Sequence, residues 1–223
     1  MSLVLGPVHY WMHNKIKATE AREACIVDAL KEKYGHEADE ILNTVYEKHP
    51  LSNQDTPLEE LLENAPIHQG IQNLIIQAET REAAIIAAFC EKYGDEAKEL
   101  VIQTAHDNGV ECGKRALEEK EVSGDCTASK AFELMQHYLC DGMPCDRGAQ
   151  IQDESDSRTT WDHTDCVHEP YWKDAGASFE TMCDMVNSWI SGFGEGVNAK
   201  IKHTREKAIA TGDSECLNAF EIS

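Results

Sequence analysis

Positive charge is what this sequence has least of. It carries 20 Lys and Arg against 41 Asp and Glu, a formal net charge of −21. That balance argues against nucleic acid and against an anionic membrane surface as partners, because both are held by a cationic face. Long hydrophobic runs are missing too: none reaches the roughly 18 residues of a membrane span. The opening MSLVLGPVHYWMHNK lacks the basic region and small-residue cleavage site of a secretory signal, so a cytoplasmic protein is expected. No Gly-rich phosphate loop, HExxH or Gly-x-Ser-x-Gly occurs, which leaves nucleotide binding, zincin chemistry and esterase chemistry without support. CxxC is absent as well, although there are nine cysteines. In a cytoplasmic chain these read as reduced thiols, not a disulfide framework. Cys25 and Cys90 fall in helical patterns and read as small buried hydrophobes.

What is present begins with a repeat. EAREACIVDALKEKYGHEADEILNTVYEKH, from Glu20, aligns without gaps on ETREAAIIAAFCEKYGDEAKELVIQTAHDN, from Glu79, an offset of 59 positions. Arg22 falls on Arg81, Glu23 on Glu82, Ile26 on Ile85 and Lys33–Gly35 on Lys92–Gly94. Each copy reads as helix, glycine break, helix. Ile26, Ala29 and Leu30, like Ile85, Ala88 and Phe89, recur on one helical face. Glycine takes the C-terminal position cheaply, and acids open the next helix, where its dipole favours them. Between the copies, Thr56-Pro57 predicts a short helix over Leu58–Glu63. ASKAFELMQHYLCDG predicts a helix capped at Thr127 or Ser129 and stopped by Gly142.

After Met143 the period changes. Alternation predicts antiparallel strands over Asp146–Gln152 and Arg158–Cys166. A helix in SFETMCDMVNSWISGF follows, then strands in KIKHTREKAI and ECLNAFEI about a Gly212-Asp213 turn. The sum is an α+β fold, with a four-stranded antiparallel sheet packed by helices. It divides into a helical extension, residues 1–67, and an α+β domain, residues 68–223. The extra amphipathic hairpin offers a surface for a homodimer.

Reactive residue types concentrate between Trp161 and Ile222. Cys166 has His163, Asp165 and His168 beside it; on a strand His163 and Asp165 share the face opposite Cys166, whereas His168, past the strand end, could fold back and lower the thiol pKa. Cys183 lies on a helix next to Asp184, and Cys216 opens the last strand. Each of the three thiols could instead be a core residue. Together they could hold zinc, which accepts thiolate and imidazole; otherwise no cofactor is expected. Arg205 alternates with His203 on one strand face and suits a carboxylate in fork geometry. Trp161, with Tyr171, Trp172 and Trp189, could wall an apolar site.

DCVHEPYWKDAGA, a second cysteine-led segment and KIKHTREKAIATGDSEC resemble the L-2-amino-thiazoline-4-carboxylic acid hydrolase family, from about Leu74 onward and most closely after Trp161. The matching positions are Cys166, Cys183, Gly212, Asp213 and Cys216. Val167 stands where the family often has Pro, and Val186 and Asn187 where it has an acid. The resemblance implies a small-molecule hydrolase acting on C–N bonds other than peptide bonds, which adds water to a thiazoline ring. Cys166 would be the nucleophile, with His168 or Asp165 as acid/base and Cys183 assisting; Arg205, His163, Trp161 and Asp184 would hold the substrate. The closing Gly-Asp-x-x-Cys hairpin also resembles the 4-vinyl reductase domain, which implies a non-catalytic module for a small ligand, with the cysteines structural or metal-binding. The zinc pattern of that domain is not reproduced, since Ala208 and Arg205 occupy its positions.

Overall fold

A computed structural model of the chain describes residues 5–52, 56–62, 65–146 and 148–223. The repeat folds as the pattern predicts: α1 (Pro7–Tyr34) and α2 (His36–Lys48) form one copy, α4 (Ile67–Tyr93) and α5 (Asp95–Glu119) the other. α1 starts earlier than the repeat, and α5 runs on through ECGKRALEE. The breaks at Gly35 and Gly94 have φ of 57° and 60°, a conformation that costs a side-chain-bearing residue dearly and glycine almost nothing. α3 (Leu58–Leu61) lies between the copies. Residues 53–55, 63–64 and 147 lie outside the described residues, and with them the expected helix end at Glu63 and Arg147 of the first expected strand.

The two copies meet through equivalent residues. Arg22 pairs with Glu82 at 2.7 Å and Arg81 with Glu23 at 2.9 Å; Lys33 pairs with Glu96 at 2.8 Å and Lys92 with Glu37 at 2.6 Å. Tyr34 and Tyr93, also equivalent, stack with centroids 3.8 Å apart. Each of these five contacts has its counterpart with the copies exchanged or is its own counterpart, the signature of a two-fold self-complementary interface, here built within one chain, although the Arg81–Glu20 pair is not repeated at Arg22 and Glu79. Ile26, Leu30, Ile85 and Phe89 are buried in it. Cys25, by contrast, is exposed and Cys90 half-buried; the expectation of buried hydrophobes fails for Cys25 because the buried stripe runs through Ile26 and Leu30 and leaves position 25 outside.

The remaining elements are α6 (Ala128–Met135), β1 (Gln150–Glu154), β2 (Arg158–His163), α7 (Glu169–Asp174), α8 (Phe179–Val197), β3 (Ile201–Lys207) and β4 (Cys216–Ile222). The strands form one antiparallel sheet in the order β1-β2-β4-β3, so the α+β architecture is as expected. Four boundaries differ. β1 begins at Gln150, because Asp146 turns back to accept the Met143 N–H and Ala149 donates to Asp141. β2 stops at His163, three residues before Cys166, where the chain bends. α6 stops at Met135, not Gly142; residues 137–139 close short-range turns instead. β3 stops at Lys207, because Asp213 captures the Ala208 N–H and the chain enters a 3₁₀ turn, Ile209–Thr211.

α8 joins the helical layer to the sheet, packing on α5 on one side and β3 on the other. Its contact with α5 is backbone to backbone. A Cβ on Gly109 or Gly113 would lie 2.2 or 2.5 Å from a carbonyl oxygen of α8, and one on Gly192 or Gly196 2.1 or 2.2 Å from one of α5. Glycines four apart on both helices permit this approach. The buried core runs from Ile26 and Leu30 through α5 and α8 to Trp161 and Phe220 of the sheet. Among the described residues no helix is long and apolar enough to cross a membrane.

Candidate functional site

A cavity of about 70 Å³ opens where the end of the sheet meets α7, α8 and the segment after α6. β2 pairs with β4 so that His163 lies opposite Cys216, and Arg205 of β3 lies opposite Asn218. Directly paired residues share a face, which places all four on the helix-covered side. Cys183 comes from α8, and Asp165, Cys166 and His168 from the bend after β2. The cavity is lined by Cys166, Cys183, Cys216, His163, Asp165, His168 and Arg205, with Asp141, Asn187 and Trp172 among the rest. The three thiols therefore converge. Asp165 and Cys166 both reach the cavity, because alternation stops with the strand at His163.

Trp161, Tyr171, Trp189, His203 and Asp184, all singled out in the sequence, lie outside the lining. Trp161 is fully buried behind the wall, packed on Phe132 and Phe220 and stacked on His203. Asp184 binds Lys98 at 3.0 Å and Arg205 at 3.1 Å, so it fixes Arg205 from behind. His203 donates or accepts at Asn218 and Ser191; burial lowers its pKa to about 4, and the ring is neutral.

The polar heart of the site is a row of four side chains, His163, Asp141, His168 and Glu79, of which the sequence announces only the two histidines. Asp141 Oδ2 lies 2.7 Å from His163 Nε2 and also accepts the Ala149 N–H at 3.0 Å. Its Oδ1 is 3.9 Å from His168 Nε2, and His168 Nδ1 is 3.0 Å from both oxygens of Glu79. Burial opposes the Asp141 charge, but the two imidazoles and the backbone donor outweigh it and hold its pKa below the ordinary carboxylate range. Burial likewise opposes charge on His168, yet Glu79, with Asp141 behind, raises its pKa. Asp141 was hidden in a predicted helix end. Its only sequence signal is the following Gly142, whose φ of 70° marks a turn there. Glu79 is the repeat partner of Glu20. Glu20 binds Arg81, whereas Arg22 gives both donors to Glu82, and Glu79 is left for His168.

The thiols are kept protonated. Burial pushes Cys166 to about 12, although the His168 and Glu169 backbone N–H groups pull the other way. It is thus the backbone of His168 that meets this sulfur; the ring faces the two carboxylates. Burial pushes Cys183 to about 11, opposed by Arg205, whose Nη1 lies 2.9 Å from the sulfur. Cys216 is raised by burial too, and accepts the Ile209 N–H. Among the described residues no three His, Cys, Asp or Glu side chains are gathered as a metal site. Among the described residues, two buried polar atoms of lining side chains, Trp172 Nε1 and Asn187 Oδ1, have no hydrogen-bond partner, although buried groups normally find one; both are closed off from the cavity surface. Comparison of the chain with protein-family models, with curated proteins and with solved structures finds no match.

Proposed function

We propose that the cavity is the active site of a cytoplasmic small-molecule hydrolase of the L-2-amino-thiazoline-4-carboxylate type. The observation that carries this reading is the convergence of Cys166, Cys183 and Cys216 on a cavity that also holds a carboxylate-oriented histidine. Its volume is several times the ~10–15 Å³ that admits one water, which suits a single small ring.

In the reaction, water adds to the ring carbon between nitrogen and sulfur, the C–S bond breaks, and N-carbamoyl cysteine leaves. The two protons of the water end on the ring nitrogen and the departing sulfur. His163, held by Asp141, is the group placed to accept a proton from water. Cys166, protonated at rest, becomes an attacking group only if it loses its proton to a neighbour, and otherwise is a donor to the leaving sulfur. Arg205, clamped by Asp184, retains donors for the substrate carboxylate. The binding-module reading rests on a different observation: burial pushes all three thiols above their already high ordinary value, as expected of lining residues that take no part in chemistry.

The test is turnover of L-2-amino-thiazoline-4-carboxylate, followed as release of product thiol. Turnover is expected, with His163→Asn reducing it by about 100-fold or more, the scale of general-base catalysis. Cys166→Ser should abolish it if the thiol attacks and only slow it if the thiol donates a proton. Saturable binding of the same compound without thiol release would overturn the hydrolase in favour of the binding module.

A further inference from the structure

A second and larger hollow, about 460 Å³, lies between α1, the end of α5 and the turn after α6. Its walls are Trp11, Tyr138 and His137; Ala18 and Ala21, one helical stripe with Trp11, leave the floor low. Cations gather here in a chain that has half as many cations as acids. Lys17 and Lys120 stand on its rim, and among the described residues neither forms an ion pair. Lys15, behind the wall, is 2% exposed and also forms none; its Nζ lies 4.1 Å from the centre of the Trp11 ring. Most other lysines are paired with acids.

The carboxylate in the hollow is already engaged. Glu119 accepts the Tyr138 hydroxyl at 2.7 Å, and Arg115 reaches it only at 3.9 Å. Trp11 Nε1 lies 3.2 Å from His137 Nδ1; with Nδ1 accepting, the proton sits on Nε2 as a further donor. His137 has a lowered pKa, through burial first and then Lys120, with Lys15 and Lys130 adding to it and Glu133 opposing. The α5 C-terminal dipole accounts for Arg115 and Lys120. It does not account for Lys17 on α1.

We infer that this hollow binds a small organic anion, a flat ring bearing a carboxylate or phosphate, with Lys17, Lys120 and Arg115 on the charge and Trp11 and Tyr138 on the ring. The volume falls in the range of ligand sites, which combine apolar walls with a few convergent polar groups, and cations beside aromatic faces suit a ring with a charged substituent. His137 and Tyr138 are followed directly by Leu139 and Asp141 of the cysteine-lined cavity, so the two sites share one segment of chain.

Calorimetric titration of the full chain at low salt tests this, using adenosine monophosphate, indole-3-acetate, inorganic phosphate and adenosine as probes. One or both ring anions should bind at least tenfold more tightly than phosphate or adenosine, and which of them does so separates phosphate from carboxylate recognition. Lys17→Glu with Lys120→Glu should weaken that binding at least tenfold. The same reversal at the exposed Lys48 and Lys202, which form no ion pair among the described residues, should leave it unchanged. Absence of binding by both ring anions overturns the inference, as does equal loss in the control variant or equal affinity for adenosine. All four lysines are exposed, so these variants keep the fold.

Discussion

Glu79 and His168 are the residues through which the duplicated helices reach the cavity. Replacing Glu79 by Gln keeps the side chain's size and removes its charge, so the His168 imidazole pKa should fall. Imidazole resonances followed by NMR against pH would register this, and an unchanged titration would mean that Asp141 alone holds the proton. The reactive residue types were legible in the sequence: Cys166, Cys183, Cys216, His163 and Arg205 all line the cavity. Asp141 and Glu79 were not, because an acid after a helix and an acid in an amphipathic pattern look like solvated residues until burial is known. Trp161 misled for the opposite reason. A strand tryptophan reads the same whether it walls a ligand or packs on Phe132, and only the layer above it decides.

At the level of elements, the repeat interface makes a sharp prediction. Arg22 and Glu82 are both almost fully buried. Glu82→Gln leaves a buried guanidinium without its partner and should cost about 3–5 kcal/mol, whereas Arg22→Met with Glu82→Leu should be close to neutral. Urea unfolding of the two variants measures the difference. Gly192→Ala presses a methyl group against the His106 carbonyl, 2.1 Å away, and should destabilise by about 3 kcal/mol or more, since neither backbone can yield. The hairpins themselves were readable because Gly35 and Gly94 break long periodic faces at equivalent points. The start of β1 and the end of β3 were not, because each is set by a side-chain carboxylate that captures a backbone N–H, Asp141 at Ala149 and Asp213 at Ala208, and residue alternation carries no sign of it.

For the whole molecule, charge and buried histidines set the response to solvent. At −21 the folded chain repels itself, so raising NaCl from a few mM to about 0.2 M should raise Tm by screening. The unfolded chain binds a proton at His203 near pH 6.5, the fold not until about 4; between these values the unfolded state holds more protons, and stability falls as pH falls. Asp141, with its lowered pKa, adds to the loss at still lower pH. His168 works the other way, its contribution fading as pH rises through its raised value. Glu23, raised to about 7 by burial, opposes the His203 effect over the same range, so the test is the difference: in thermal melts from pH 7 to pH 4, His203→Asn should lose less Tm than the unaltered chain, and equal slopes would remove His203 as a cause.

What the sequence determined by itself is the set of elements: two helix–glycine–helix copies, two strands, a helix and two strands, and hence an α+β chain. Those features are local, written in periodicity, glycine and capping over a few residues. Tertiary structure alone decided that the copies pair with each other, that α5 and α8 touch backbone to backbone, and that three cysteines from a bend, a helix and a strand meet beside Asp141. Such convergence depends on strand register and helix placement, which sum small effects over the whole chain, so no single stretch of sequence carries it.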